Sequence, residues 1–235
     1  MADDDFGIES LAAYLHLDPA QVVKLAERGK LPGRKVGGQW RFAQPVIHHW
    51  LEERMGLSSD EELEQMEGVL RKAAGEEAPH TIGIADMLPR QAIAVPLEAR
   101  TRGSAITTLV DVAAGTGWLW DTAKMAEAVR AREDMAPTAL EIGVAVLHPR
   151  RPLPAILDRA FLAFGRTGRG IPFGAPRGGL TDLFFLVCST NDSEHLRILA
   201  RLSRLISDSE LLETLRHAPD ALAVHEAIAE REERL

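Results

Sequence analysis

Cysteine is nearly absent: the 235 residues hold one, Cys188. No internal disulfide and no cysteine-built zinc site can form, which excludes secreted disulfide scaffolds and zinc fingers. Absent too is any run near the roughly 20 apolar residues that cross a bilayer. The acidic opening MADDDF lacks the basic and apolar segments of a signal peptide, so the expectation is a cytoplasmic protein. Positive charge is in deficit, with 27 Lys and Arg against 35 Asp and Glu, a net charge of -8. That argues against bulk electrostatic binding to DNA or anionic membrane, and leaves room for a locally basic domain. What remains, 46% hydrophobic and 26% charged, is a globular composition, and the length suits two small domains.

Charge divides the chain. Between Gln21 and Arg41, Lys24, Arg28, Lys30, Arg34, Lys35 and Arg41 face the single acid Glu27. From Asp60 to Glu77 the sign reverses, with seven acids against Arg71 and Lys72. A basic module followed by an acidic connector predicts a domain at residues 1–56, a helical linker at 57–80 and a second domain at 81–235.

The basic module opens with Leu11, Ala12 and Leu15 on one helical face. Asp18, Pro19 and Gln21 then supply a cap, a first-turn proline and a variant capping box for a helix running to about Arg28, stopped by Gly29. This is a helix-turn-helix pattern, and its second helix carries Gln21, Lys24 and Arg28 one turn apart. Val36, Trp40 and Phe42 flank Gly37-Gly38, a pair suited to a two-residue hairpin, with Arg34, Lys35, Gln39 and Arg41 on the arms of a wing. Val46, Ile47, Trp50 and Leu51 have the spacing of a closing helix. Residues 10–51 resemble the excisionase and MerR-like winged helix-turn-helix domains, with DNA as the implied partner. The blander alternative is a small helical domain with solvated charges or a protein-binding role. His48-His49 has no third ligand at a suitable spacing and reads as a solvated pair.

In the connector, Leu63, Met66, Leu70 and Ala73 form a two-heptad seam. It fits a homodimer, which paired half-sites would favour, and equally a helix docked on either domain. From His80 onward strand and helix patterns alternate. Strands are predicted at Gln91–Leu97, Ile142–Leu147, Ala160–Gly165 and Leu183–Cys188. Helices are predicted at Arg102–Ala114, Thr122–Arg132, Ser193–Ser207, Ser209–His217 and Asp220–Glu233. The fold class is α/β, a sheet covered by helices. His148 directly follows the strand GVAVL, and His195 lies in the first turn of the helix after LFFLVCSTND, where free N–H groups favour an anion.

The ordered motifs Ala131-Arg132-Glu133, Pro137-Thr138, GVAVLH ending at His148, Gly170-Ile171-Pro172-Phe173, TDLFFL at 181–186, Glu194-His195-Leu196 and LARLS at 199–203 resemble one family. It is the mannitol and fructose type of phosphotransferase-system enzyme IIA domain, most of all its nitrogen-regulatory branch. The resemblance implies a mixed sheet flanked by helices and a phosphoryl group accepted on His148 from a histidine-containing phosphocarrier. It further implies that Arg132 stabilises that group and His195 hydrogen-bonds near it. A neutral imidazole offers the nucleophilic nitrogen, and neither metal nor nucleotide is called for. Two positions depart from the family pattern: Leu147 stands where proline is usual, and Pro149 follows the histidine, removing one N–H beside the site.

The expectation is therefore a phosphotransferase-linked regulator. The alternatives are a phosphocarrier for sugar transport and a docking module without chemistry. Gly165–Gly179, with Arg166, Arg169 and Arg177, lacks the ending of a phosphate loop and reads as a loop turned toward the phosphoryl donor. His217 and His225 do not form a metal pair, and Cys188 reads as an inert core thiol.

Overall fold

The computed structural model describes residues 5–15, 17–43, 46, 47, 50 and 83–234. Two compact units divide the chain, Met1–Thr81 and Ile82–Leu235.

In the first unit, α1 (Ile8–Leu15) buries Leu11, Ala12 and Leu15. The second helix, α2 (Pro19–Glu27), starts from a complete capping box: Asp18 accepts from the Ala20 and Gln21 amides, and the Gln21 side chain accepts from the Asp18 amide. The hairpin follows as β2 (Arg34–Val36) and β3 (Gln39–Ala43), antiparallel with Val36 opposite Gln39. Gly37 and Gly38 take φ of 59° and 81°, the left-handed pair that a two-residue turn needs to match strand twist. A further strand, β1 (Asp5–Phe6), pairs antiparallel with β3, so the wing is three-stranded in the order β1-β3-β2. Phe42 and Ile47 are buried, and the Trp50 indole donates to the Lys30 carbonyl at 2.9 Å. Leu51, the His48-His49 pair and the linker at 57–80 with its Leu63, Met66, Leu70 and Ala73 seam lie outside the described residues.

The second unit is built on a four-stranded sheet of order β4-β6-β7-β5, with β4 (Ile93–Ala94), β5 (Val144–Leu147), β6 (Phe161–Pro172) and β7 (Leu180–Cys188). The central β6/β7 pair is antiparallel, while β4 runs parallel to β6 and β5 parallel to β7, so the sheet is mixed. After the short α3 (Ile84–Met87), helices α4 (Arg102–Ala114) and α5 (Thr122–Met135) bring Ile106, Leu109, Val110, Met125 and Val129 against Leu147, Phe161, Phe184 and Leu186. The alternate residues Leu162, Phe164, Leu183, Phe185 and Val187 are buried as well. Burial on both faces accounts for a near-continuous apolar run such as LFFLVC. The chain ends in α6 (Asp192–Ile206), α7 (Ser209–His217) and α8 (Ala221–Glu232), with α6 and α7 packed on β7 and α8 on β4. A buried ion pair at 3.1 Å joins Arg201 of α6 to Glu232 of α8, whose carboxylate also accepts from the Ile84 and Ala85 amides.

Two expectations fail here for local reasons. The strand expected at Gln91–Leu97 shrinks to β4, because Arg90–Ala92 forms a 3-10 turn and Pro96 has no N–H for a ladder. The stretch expected as a loop from Gly165 instead continues β6 to Pro172, with a register shift between Arg166 and Ile171. Gly165 permits this by close approach, since a Cβ there would come within 2.7 Å of the Leu97 side chain. Arg166 is not turned toward a donor protein: its guanidinium donates to the carbonyls of Leu215, Arg216 and Ala218 at the end of α7.

Candidate functional site

Because β5 and β7 are parallel neighbours, their C-terminal ends emerge side by side, where α/β sheets place their functional groups. His148 follows one end and Ser189 the other. His148 Nδ1 lies 2.9 Å from the Val146 carbonyl, which can only accept, so the proton sits on Nδ1 and the lone pair on Nε2. That lone pair receives the Nε–H of Arg132 at 3.2 Å.

Arg132 comes from the last turn of α5, where a cation suits the helix dipole, and its Nη1 donates to the Ala136 carbonyl at 2.9 Å. The third member, His195, lies in the first turn of α6, whose N-cap Asn191 accepts from the Glu194 amide at 2.9 Å. The His148 and His195 rings stand 5.3 Å apart, centre to centre, and are tilted by 56°. Arg132, His148 and His195 are all at most 5% exposed. Charge–dipole interactions inside such a site are screened far less than in water. The three residues expected from the sequence are thus brought together.

Leu147, where the usual proline would stand, pairs with Leu186 and is fully buried in the core. Pro149, next in the chain, is buried too.

Three further residues had no role assigned from the sequence. Glu133 is 1% exposed. It accepts from the Thr138 hydroxyl and from the Thr138 amide at 3.2 Å, and lies 3.6 Å from Arg102. Burial pushes its carboxyl above the ordinary range, against the opposing pull of Thr138, Arg102 and His148. Ser189 is fully buried, with Oγ 2.8 Å from His195 Nδ1. Asp5 sits 3.0 Å from Arg34 on the wing. The signal in the sequence is slight: a short polar residue just past a strand for Ser189, an acid next to Arg132 for Glu133, and none for Asp5, whose partner Arg34 lies 29 residues away.

The expected DNA-contacting residues share the first unit. Gln21, Lys24 and Arg28 are exposed along or just past α2, and Arg34, Lys35 and Gln39 are exposed on the hairpin, with Arg41 half-buried. The Lys35 ammonium lies 5.2 Å from the centre of the Trp40 ring. His217 Nδ1 and His225 Nε2 pair with the carbonyls of Glu213 and Ala85, and burial pushes the Cys188 thiol well up. Among the described residues no three His, Cys, Asp or Glu side chains group to hold a metal, and no helix is long and apolar enough to cross a membrane.

A mixed sheet between helices, with two histidines and an arginine meeting at its strand ends, defines an enzyme IIA-type domain. Residues 86–231 match the family described as phosphoenolpyruvate-dependent sugar phosphotransferase system, EIIA 2, and the chain belongs to that family. Residues 6–55 match a helix-turn-helix domain. A nitrogen regulatory protein of Bradyrhizobium diazoefficiens is 31% identical over 148 residues, 62% of this chain and 94% of that protein. The fructose-specific EIIA component of the phosphotransferase system of Haloferax volcanii is 28% identical over 149 residues, 63% of this chain and 95% of its own. Among solved structures, the nitrogen regulatory protein IIA-Ntr of Neisseria meningitidis superposes with a TM-score of 0.55 at 24% identity, over 62% of this chain and 98% of that one. The mannitol IIA of Escherichia coli superposes at 0.53 and 22% identity, over 60% of this chain and 98% of that one. At these identities the superpositions speak for the fold.

Proposed function

We propose that this chain is a phosphotransferase-linked regulator: His148 accepts a phosphoryl group from a histidine phosphocarrier, and its state is coupled to DNA binding by the helix-turn-helix unit. One observation carries the reading, the fixed tautomer of His148. Its Nδ1–H is tied to the Val146 carbonyl, and its Nε2 lone pair lies under the Arg132 Nε–H.

In the transfer, Nε2 attacks phosphorus as the phosphorus–nitrogen bond of the donor's phosphohistidine breaks, and the donor leaves as neutral imidazole. Arg132 gives up the lone pair and turns its charge to the phosphoryl oxygens. The Val146 carbonyl meanwhile stabilises the Nδ1–H of a ring that has become positive. Positioning and charge neutralisation are what phosphoryl transfer asks of a protein. The nitrogen regulatory relative supports the regulatory side of the reading. On the DNA side, α2 presents Gln21, Lys24 and Arg28 while the wing presents Arg34, Lys35, Gln39 and Arg41.

The test is the intact mass after incubation with phosphoenolpyruvate, enzyme I and the phosphocarrier. Wild type should gain one phosphoryl group and His148→Ala none, whereas His195→Ala should gain it more slowly. Absence of an adduct in the wild type with every cognate donor would reduce the domain to a docking module. The fructose-specific relative favours a second reading, a carrier for sugar transport. That reading predicts transfer from His148 onward to a sugar permease component, and no specific DNA binding.

A further inference from the structure

Ser189 is the residue of the site whose chemistry is still unused. It is fully buried, and among the described residues the one partner of its hydroxyl is His195 Nδ1 at 2.8 Å. Its main chain is held as well, the Ser189 carbonyl accepting from the Leu153 amide at 3.2 Å, which ties the end of β7 to the segment leaving His148.

A serine hydroxyl has one hydrogen to give and two lone pairs to offer. If Nδ1 carried the proton, Ser189 Oγ would accept it and its own O–H would be left buried without an acceptor, which is a penalised arrangement. If Oγ–H donates to the Nδ1 lone pair, the hydroxyl hydrogen is used, and the ring keeps its own hydrogen on Nε2, in the site it shares with His148. We propose that Ser189 is a positioning residue for His195, holding its imidazole in the tautomer with the proton on Nε2. The two histidines then carry opposite tautomers 5.3 Å apart. His148 has its hydrogen on Nδ1 and a nucleophilic Nε2, while His195 has its hydrogen on Nε2 and offers an uncharged N–H to a phosphoryl oxygen.

The inference rests on the phosphoryl-acceptor reading for its purpose, but its test does not. In the unphosphorylated full-length protein at neutral pH, two-dimensional nitrogen–proton NMR of the histidine rings should give His195 a pyridine-type Nδ1 and a pyrrole-type Nε2, with the reverse for His148. A pyrrole-type His195 Nδ1 in the wild type overturns the proposal.

In Ser189→Ala the His195 Nδ1 signal should move while the His148 tautomer stays. Phosphoryl acceptance by His148 should slow about tenfold, with Ser189→Thr recovering most of the rate. A merely structural serine would lower the melting temperature and leave both ring signatures and the rate per folded molecule unchanged, which also overturns it. If the wild type accepts no phosphoryl group, the acceptor reading fails instead, and the ring signals still decide the role of Ser189.

Discussion

Arg132 and His148 show how a single donor choice sets chemistry. Arg132 touches His148 through Nε and Ala136 through Nη1, a fork that an ammonium cannot copy. Arg132→Lys should therefore slow phosphoryl acceptance almost as much as Arg132→Ala, measured as the rate of adduct formation. Its neighbour Glu133 makes a prediction about pH. Because its carboxyl titrates above the ordinary 4.5, the folded state holds that proton more tightly than the unfolded chain. The associated stability is present below about pH 4.5 and is lost as pH rises through the folded value. Glu133→Gln should then gain on wild type between pH 4 and pH 7.5, as read from urea midpoints of the C-terminal unit. A difference that stays flat or runs the other way would contradict the assignment. His148, His195 and Arg132 were legible as residue types at strand and helix ends; Ser189 and Glu133 were not, because their roles exist only once distant segments meet.

Elements follow the same division. The wing turn was legible in Gly37-Gly38, since few other pairs accept two left-handed residues. Gly38→Ala, at φ 81°, should destabilise the N-terminal unit by about 1 kcal/mol, read by chemical denaturation. Apart from the short α3, the helices were legible to within a few residues, because caps such as Asp18, Thr101 and Asn191 mark their starts locally. Strand extents were not: β6 runs through a glycine-rich stretch that looks like a loop until β7 supplies its hydrogen bonds. Arg166, whose guanidinium closes the last turn of α7, belongs to that misread stretch. Arg166→Ala should cost about 2 kcal/mol of C-terminal stability, because carbonyls at a helix end lose a charged donor.

For the molecule as a whole, the distribution of charge matters more than its sum. A chain of net charge -8 can bind DNA only through a local basic surface. Binding should weaken steeply with salt, and Lys35→Ala should flatten the slope of log affinity against log salt by about 1. Arg34 starts from a different state, since Asp5 already neutralises it at 3.0 Å. Asp5→Asn should accordingly raise DNA affinity at low salt, and an unchanged affinity would mean that Arg34 does not reach phosphate. Titrations with and without a phosphorylated His148 would measure the coupling directly, as the ratio of the two affinities.

Periodicity, caps, turn residues and local charge are properties of neighbouring residues, and the sequence carried them in full: an N-terminal helix-turn-helix, an α/β domain after it, and two histidines at element ends. Register, tautomer and partner are relations between segments far apart in the chain. Whether Gly165 lies in a strand depends on β7, and which nitrogen of His148 carries the lone pair depends on a carbonyl fixed by β5 and an arginine from α5. The proton on His195 is placed by a serine from the end of a different element. Hydrogen bonds are short-ranged and directional, so these choices come into being only when packing brings their partners within about 3 Å.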